Sequence, residues 1–414
     1  MIDTKHALIE IISAFTIAIL MIPESIAFAL MVDKSPSVGI QTSIVISIVA
    51  ALLGGQPGLI SGSTAAVATA LVGLVSHLGS DYVSTGVIFG GIIQLIIGVT
   101  GLYKLFDFIP KAVNSGFLIG LSILILMGQT ANFQDKSGKW LTGLNLWYTC
   151  VLSAIGVFLT YYGNTIINLT HFFNIPIHIP GALIGILILS LFFYLTPGKL
   201  PVETVSDKGD VKGELPSFQV PNPKGGLDMM TILQILPYSF SMALSGLTES
   251  LFMVKDAEAT IGRKGSTYVE TFAQGIANIV SGFTGGMGGC VLVGQSKFNL
   301  ENGSISRLSS IAVSAFLAIF VLFASRFIDA IPIPAIIAIL IVIALKTCDI
   351  PALFQKFGKN WVVTAYTALI SVYTSNLAVG VVTGTALHKI MDVFISKYGG
   401  GKENAIDKYA GFSK

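Results

Sequence analysis

Two glutamates lie within stretches of sequence that are otherwise apolar. Glu24 follows Pro23 in AILMIPESIAFAL, and Glu249 lies in SMALSGLTESLFMVKDAEA. A carboxylate at the centre of a bilayer costs about 2.5 to 3.5 kcal/mol on insertion scales, so it has to face the interior of a helix bundle. We interpret each glutamate as a group that takes part in binding or in proton exchange. The alternative for each is an internal hydrogen-bond network without such chemistry.

The second glutamate belongs to a stripe of mostly polar residues. Ser241, Ser245, Glu249, Phe252 and Asp256 fall at helical spacing and share one face of a helix. A helix in lipid has to turn such a face toward protein or water. The stripe therefore indicates that Glu249 lines an interior site.

Two glycine-rich breaks supply a second kind of chemistry. GGMGGCVLVGQSKFN covers residues 285–299, and GGQPGLISGSTAAVATA covers residues 54–70. Irregular backbone is tolerated at membrane depth only where it is buried in protein or lines a water-filled cavity. Each break leads into a short apolar segment, and half-helices that start there would direct electropositive N-termini inward. Close packing through small residues is the alternative, but two breaks at matching positions favour a site.

The elements that position these groups are membrane helices. The chain is 53% hydrophobic and 11% charged, against about 25% charged residues in a soluble domain, and its mean hydropathy is +0.80. Apolar runs of roughly 18 residues or more recur from end to end. The three cysteines show neither disulfide nor metal spacing. No Ser/His/Asp set, nucleotide loop or nucleic-acid patch is visible, so we expect no enzyme, no cofactor, no metal and no nucleic-acid partner.

About fourteen membrane spans are predicted, seven on either side of a polar stretch near residues 196–226. The third lies near 63–78, the seventh near 177–194 and the tenth near 292–298. An odd number of spans in each half makes the halves inverted relative to each other. Most loop lysines and arginines fall on one side if the N-terminus is inside, so both termini are predicted to be cytoplasmic. The expected location is a plasma membrane, which in bacteria is the inner membrane.

Several segments carry a family resemblance. PESIAFAL, ALLGGQPGLISGSTAA, NGSISRLSSI and the run from GLTESLFMVKDAEA to GGMGGCVLVGQS resemble the sulfate permease family, relatives of the animal solute carrier 26 anion transporters. The resemblance covers about residues 1–397 and is most specific over 249–310. It implies an all-α polytopic membrane protein with a 7+7 inverted repeat, fourteen spans, and half-helices at spans 3 and 10.

The resemblance also implies a division into core and gate domains. Spans 1 to 4 and 8 to 11 would form the core, and spans 5 to 7 and 12 to 14 the gate. The predicted boundaries are core 1–102, gate 103–197, extramembrane linker 198–229, core 230–327, gate 328–397 and cytoplasmic tail 398–414. Family members carry a cytoplasmic STAS domain after the last span, whereas this sequence stops at Lys414. They are commonly homodimers, so a homodimer is included among the expectations.

The resemblance assigns roles residue by residue. The anion would lie between the two half-helix starts and beside the first span, and Glu249 matches a carboxylate used for cation coupling. The predicted substrate-binding residues are Glu24, Phe28, Ser63, Thr64, Ala65, Ala66, Val291, Leu292, Val293 and Gln295. The predicted coupling-ion residues are Glu249 and Glu24.

Departures from the family pattern bear on the coupling ion. Animal relatives have an arginine where this chain has Gln295, so no fixed positive side chain is guaranteed at the anion. Sodium-coupled bicarbonate relatives place hydroxyl residues where this chain has Met253 and Val293, which weakens the case for Na⁺. Two ionised glutamates would repel an anion, while burial and like charge disfavour ionisation. We therefore expect at least one of them to be protonated when an anion is bound, which is H⁺-coupled transport.

The expected function is secondary active transport of a small inorganic or organic anion of the sulfate, bicarbonate or dicarboxylate class, by an elevator-type movement of core past gate. Two alternatives stay open. A nucleobase/proton symporter of the same fold would accept both glutamates with a neutral substrate. An anion channel or voltage-responsive motor would carry currents above carrier rates, or move charge without net uptake.

Overall fold

The computed structural model describes residues 4–134, 139–166, 181–196, 200–211, 213–356 and 358–398. In these ranges the chain is mainly helical, with fourteen α-helices of nine residues or more. They are α1 Thr4–Met31, α2 Pro36–Leu53, α3 Ala65–Leu78, α4 Val83–Thr100, α5 Lys111–Gly128, α6 Gly143–Ile166, α7 Gly181–Leu195, α8 Met229–Ile261, α9 Thr267–Gly282, α10 Val293–Glu301, α11 Arg307–Asp329, α12 Ile333–Thr347, α13 Lys359–Tyr373 and α14 Leu377–Tyr398.

The apolar helices include long ones and shorter ones. By length and composition, eight helical segments of the described chain could cross a membrane, and α3, α7 and α12 are shorter apolar helices. The first four residues of the predicted seventh span, and the predicted tail from residue 399 onward, lie outside the described residues. The count of fourteen spans stays a prediction.

The helices pack in two groups. In the first group α4 lies along α9, α1 and α2 contact α11, and α3 and α4 contact α8. In the second group α13 contacts α5 and α14, while α12 contacts α5, α6 and α7. Contacts between the groups run from α1 to α12, from α8 to α14 and from α3 to α5. The broken segments and both glutamates belong to the first group.

The polar stretch between the halves lies against the ends of several helices. A single helical turn, Val205–Lys208, is its regular element in the described range. Its backbone is hydrogen-bonded to the start of α12. The N–H of Val205 donates to the carbonyl of Ile331 at 3.0 Å, and the N–H of Ile333 donates to the carbonyl of Glu203 at 2.9 Å. Further along, the N–H of Gln219 donates to the carbonyl of Phe283 at 2.7 Å. The stretch therefore contacts both helix groups.

Polar contacts fix the irregular segment that follows α2. Both terminal nitrogens of Arg307 donate to carbonyls at the end of α2, those of Ala51 and Gly54, at 2.5 Å each. The N–H of Gly55 donates to Glu270 Oε2 at 2.8 Å. Carbonyls at a helix C-terminus lack intrahelical partners. Arg307 supplies donors to two such carbonyls, which lipid cannot do. The chain is thereby held in place before it enters the first glycine-rich break.

Candidate functional site

The starts of α3 and α10 meet at a two-stranded ribbon. Strand β1, Ser61–Gly62, leads into α3, and strand β2, Cys290–Val291, leads into α10. They pair antiparallel, with Ser61 opposite Val291 and Gly62 opposite Cys290. The N–H of Leu292 adds a bond to the carbonyl of Ile60 at 2.8 Å. Because the strands run in opposite directions, the two short helices leave this crossing in opposite directions, with both N-termini near it.

The glycines of the second break allow this crossing to form. Gly285 and Gly288 have φ values of 74° and 76°, which L side chains rarely adopt. At Gly289 a Cβ atom would lie 1.9 Å from the carbonyl oxygen of Gly62. Two of the glycines thus set the turn, and a third allows the two strands to approach closely. Close strand approach, rather than general helix packing, explains the cluster.

Asn278 holds the second break to α9. Its Nδ2 donates to the carbonyl of Gly289 at 3.0 Å, and its Oδ1 accepts from the N–H of Gly289 at 2.9 Å. Nδ2 also donates to Gln94 Oε1 on α4 at 3.0 Å. Asn278 is fully buried. One amide side chain therefore satisfies both backbone groups of a residue next to the crossing.

We expect Asn278→Asp to destabilise the protein by about 2 to 4 kcal/mol, because a carboxylate cannot donate to Gly289 or Gln94 and would place an uncompensated charge in the interior. The measurement is the thermal unfolding midpoint of purified protein in detergent. Asn302→Asp is the matched control, since among the described residues the Asn302 side chain bonds within its own turn, to the carbonyl of Phe298. Equal unfolding midpoints for the two variants would contradict the conclusion that Asn278 holds the second glycine-rich break to α9.

The two helix starts present backbone donors without protein partners. The first helical bonds run from the N–H of Ala68 to the carbonyl of Thr64 and from that of Ser296 to Leu292. Among the described residues, no acceptor bonds to five N–H groups ahead of them. These belong to Ala65, Ala66, Val293, Gly294 and Gln295. Such groups carry the positive end of the helix dipole and bind anions.

Access to these donors differs between the helices. Ser63, Thr64, Ala65 and Ala66 are buried, as are Val291 and Leu292. Gly294 is exposed and Val293 is half-buried, and a Cβ at Gly294 would meet nothing within 4 Å. The start of α10 is therefore open in this conformation, while the start of α3 is packed.

Glu24 lies at the start of α10. Its Oε2 accepts from Gln295 Nε2 at 2.5 Å, and both side chains are 8% exposed. Phe28, one turn further along α1, is buried. The carboxylate thus occupies a donor that an anion at the α10 start could otherwise use. Of the predicted substrate-binding residues, Glu24 and Gln295 are therefore in direct contact.

Glu249 lies beside the crossing, at strand β2. Its Oε2 accepts from the thiol of Cys290 at 3.1 Å, and Cys290 Sγ is also 3.1 Å from Thr64 Oγ1. Members of the predicted stripe on α8 have separate partners. Ser241 donates a hydrogen bond to Asn376 Oδ1, and Asp256 forms an ion pair with Lys297. Ser245, one turn from Glu249, is buried, and its hydroxyl has no hydrogen-bond partner among the residues that the structure describes.

A chain of serine hydroxyls supports the start of α3. Ser25 on α1 bonds Ser43 on α2 at 2.7 Å, and Ser43 bonds Ser63 at 2.8 Å. The N–H of Ser63 donates to Ser43 Oγ at 3.1 Å. Ser63 is therefore engaged with the helices of its own half and not aimed freely into the site.

Charge around the site is negative or neutral. Within the described ranges no lysine or arginine bonds to Glu24 or Glu249, and no cluster of metal-binding side chains is found. A cavity of about 310 Å³ lies elsewhere, beside α6 and residues 200–207, with Asn145 and Glu203 in its lining.

The sequence analysis missed Cys290, Asn278 and Gln94 as members of the site. Cys290 was set aside because the cysteines lack metal or disulfide spacing. Its place next to Val291, inside a break predicted to line the site, was the signal that could have identified it. Asn278 and Gln94 gave no comparable signal, because single amides within helices bind their partners only through tertiary contacts.

Comparison with known proteins identifies the family of this chain. The profile of the Sulfate permease family matches residues 8–374. The protein named "Putative sulfate transporter YbaR" of Bacillus subtilis (strain 168) is 31% identical over 391 residues, 94% of this chain and 77% of that protein. The bicarbonate transporter BicA of a Picosynechococcus species is 22% identical over 357 residues, 82% of this chain and 62% of BicA.

Solved structures show the same fold. The transmembrane domain of a cyanobacterium bicarbonate transporter BicA has a TM-score of 0.77 at 21% identity, covering 92% of this chain and 98% of that domain. SLC26A9 has a TM-score of 0.77 at 16% identity, covering 94% of this chain and 65% of SLC26A9. The relatives are named as transporters, which confirms that the chain is not an enzyme, and the family and the apolar helices make it an integral, multi-pass membrane protein. The extent of the profile match confirms the resemblance seen in the sequence, and the chain belongs to the sulfate permease family.

Proposed function

We propose that the protein is a secondary active transporter of a small anion of the sulfate, bicarbonate or dicarboxylate class. The observation that carries this is the set of N–H groups at the starts of α3 and α10 that have no acceptor in the described part of the chain and that converge on one crossing. Each helix start supplies roughly half a positive charge, so the pair offers about one unit to an anion. Relatives named as sulfate and bicarbonate transporters support the substrate class.

Proton coupling follows from the negative side chains at the same crossing. Glu24 already occupies the amide of Gln295, and Glu249 is the second carboxylate of the site. If both were ionised, their two negative charges would exceed the positive charge of the helix starts and repel an anion. Protonation of either glutamate removes one of these charges and adds an O–H donor. H⁺ is therefore the proposed coupling ion, and Na⁺ the less favoured one.

The proposed architecture uses the two helix groups. The first group, α1 to α4 with α8 to α11, would be the core that carries the anion, and the second would be the gate past which it moves. The proposed architecture would have fourteen membrane spans, two inverted halves and the domain boundaries that the family resemblance implies. We propose a plasma-membrane location with both termini cytoplasmic, and a homodimer as the assembly.

We expect purified protein in proteoliposomes to take up at least one of labelled sulfate, bicarbonate or fumarate. An inward gradient of one pH unit should raise accumulation by up to about tenfold per coupled proton. A protonophore should remove this effect, and replacing external Na⁺ with K⁺ should not. Uptake of all three anions at the level of empty liposomes would contradict the proposal, and strict dependence on Na⁺ would contradict its coupling ion.

The runner-up is a nucleobase/proton symporter of the same fold. It is favoured by the absence of a bonded cationic side chain at Glu24 and Glu249 in the described residues, since a neutral substrate needs none. Inhibition by uracil or xanthine, without inhibition by sulfate or bicarbonate, would favour it. Anion currents far above carrier rates would instead favour a channel.

A further inference from the structure

We propose that Cys290 is a positioning residue that links proton binding at Glu249 to anion binding at the start of α3. The inference deepens the proposed function and rests on it. Cys290 Sγ lies 3.1 Å from two groups with different proposed roles, the coupling carboxylate of Glu249 and the hydroxyl of Thr64, and 3.7 Å from the carbonyl oxygen of Val291. Thr64 is the residue that caps the N-terminus of α3.

The direction of these hydrogen bonds depends on the charge of Glu249. A thiol and a hydroxyl each have one proton to donate. When Glu249 is ionised, the thiol donates to Glu249, so Thr64 has to donate to Cys290 Sγ. Thr64 Oγ1 also accepts from the N–H of Val67 at 3.4 Å. In this state the hydroxyl proton of Thr64 is used within the protein and does not face an anion.

Protonation of Glu249 reverses the chain. The carboxyl O–H can then donate to Cys290 Sγ, and the thiol donates to Thr64 Oγ1 in turn. The hydroxyl proton of Thr64 is released and can bind an anion next to the N–H groups of Ala65 and Ala66, which have no acceptor among the described residues. A proton on Glu249 thus adds one donor to the anion site, and by reciprocity a bound anion favours that proton. This is the sign of coupling that symport requires.

Several other titratable groups on the elements that pack against α8 have partners elsewhere, and Glu301, at the end of α10, is exposed. Glu270 on α9 bonds Gly55 and Gln274, Lys297 on α10 pairs with Asp256, and His77 on α3 lies beside Tyr238. On α14, His388 and Asp392 pair with each other. Lys255, on α8 itself, pairs with Asp107. Within the described residues, the hydrogen bond to the Glu249 side chain comes from Cys290.

The test is the pH dependence of the anion KM for the full chain in proteoliposomes, using whichever of sulfate, bicarbonate or fumarate the wild type transports. In Cys290→Ala, the Thr64 hydroxyl is no longer held, so KM at pH 8 should fall about threefold to tenfold below the wild-type value. The difference in KM between Cys290→Ala and the wild type should be smaller at pH 5.5 than at pH 8. Cys290→Ser keeps a one-proton donor and acceptor, so it should follow the wild-type curve.

A merely structural role for Cys290 predicts the opposite change, since damage to packing raises KM at every pH. Cys348→Ala, a cysteine outside the site, controls for thiol removal in general. An unchanged KM curve in Cys290→Ala, or a KM raised at all pH values in both Cys290 variants, would overturn the link while leaving wild-type transport intact. Absence of transport by the wild type would overturn the proposed function, and the link with it.

Discussion

Glu249→Gln is expected to abolish proton-driven anion accumulation while leaving anion exchange in place. Glutamine is neutral at every pH and close in size to a protonated glutamate, so it should accept an anion but cannot carry a proton. A gradient of one pH unit stores about 1.4 kcal/mol per proton, which corresponds to about tenfold accumulation. The variant should lose this accumulation entirely. The measurement is labelled anion uptake into proteoliposomes with and without a pH gradient.

The matched control for this variant is Asp256→Asn, seven residues further along the same helix. Asp256 pairs with Lys297, and both side chains are about half exposed, at 49% and 50%, so the pair contributes little. We expect Asp256→Asn to accumulate anion to the same level as the wild type. Exchange of internal for external anion should persist in Glu249→Gln and lose its pH dependence. pH-driven accumulation by Glu249→Gln at the wild-type level would remove Glu249 from the coupling mechanism.

The charged and glycine-rich features of the site were the predictable ones. A carboxylate in an apolar run, as at Glu24 and Glu249, or four glycines within five residues, as in GGMGG, carries an energetic cost that lipid does not offset. Such residues indicate an interior site whatever the detailed packing. Glu24 and Gln295 were both among the predicted substrate-binding residues, but the hydrogen bond between them was not predicted.

The connections within the site could not be predicted in the same way. Cys290 touches Glu249, 41 positions away, and Thr64, 226 positions away, and no local pattern encodes such contacts. The hydrogen bonds between Asn278 and Gly289 likewise depend on how α9 packs beside the second glycine-rich break. The stripe on α8 was correct as a helical face, but its members have separate partners, because the face contacts different elements along its length.

Substitution of Gly289 by valine is expected to prevent the protein from folding. A Cβ there would lie 1.9 Å from the carbonyl oxygen of Gly62 and 2.7 Å from its carbonyl carbon. These are backbone atoms of the opposite strand, so no change of rotamer relieves the clash and the strands have to separate. Separation breaks the β1–β2 ladder and exposes polar backbone in the interior, at a cost of about 3 kcal/mol or more. The measurement is the yield of monodisperse protein in detergent, together with its thermal unfolding midpoint.

Gly294→Ala and Gly90→Ala separate this effect from the general cost of replacing a glycine. A Cβ at Gly294 meets nothing within 4 Å, and at Gly90 its nearest contact is Met242 Sδ at 2.4 Å, on a flexible side chain that can move. We expect Gly294→Ala to fold normally and Gly90→Ala to lose about 1 to 3 kcal/mol at most. Gly289→Ala should already behave more like Gly289→Val than like either control, because the clash involves the first side-chain atom. If Gly289→Val gave folded protein with an unfolding midpoint equal to that of Gly294→Ala, the two broken segments would not cross as described, and the anion site built on their crossing would fall with them.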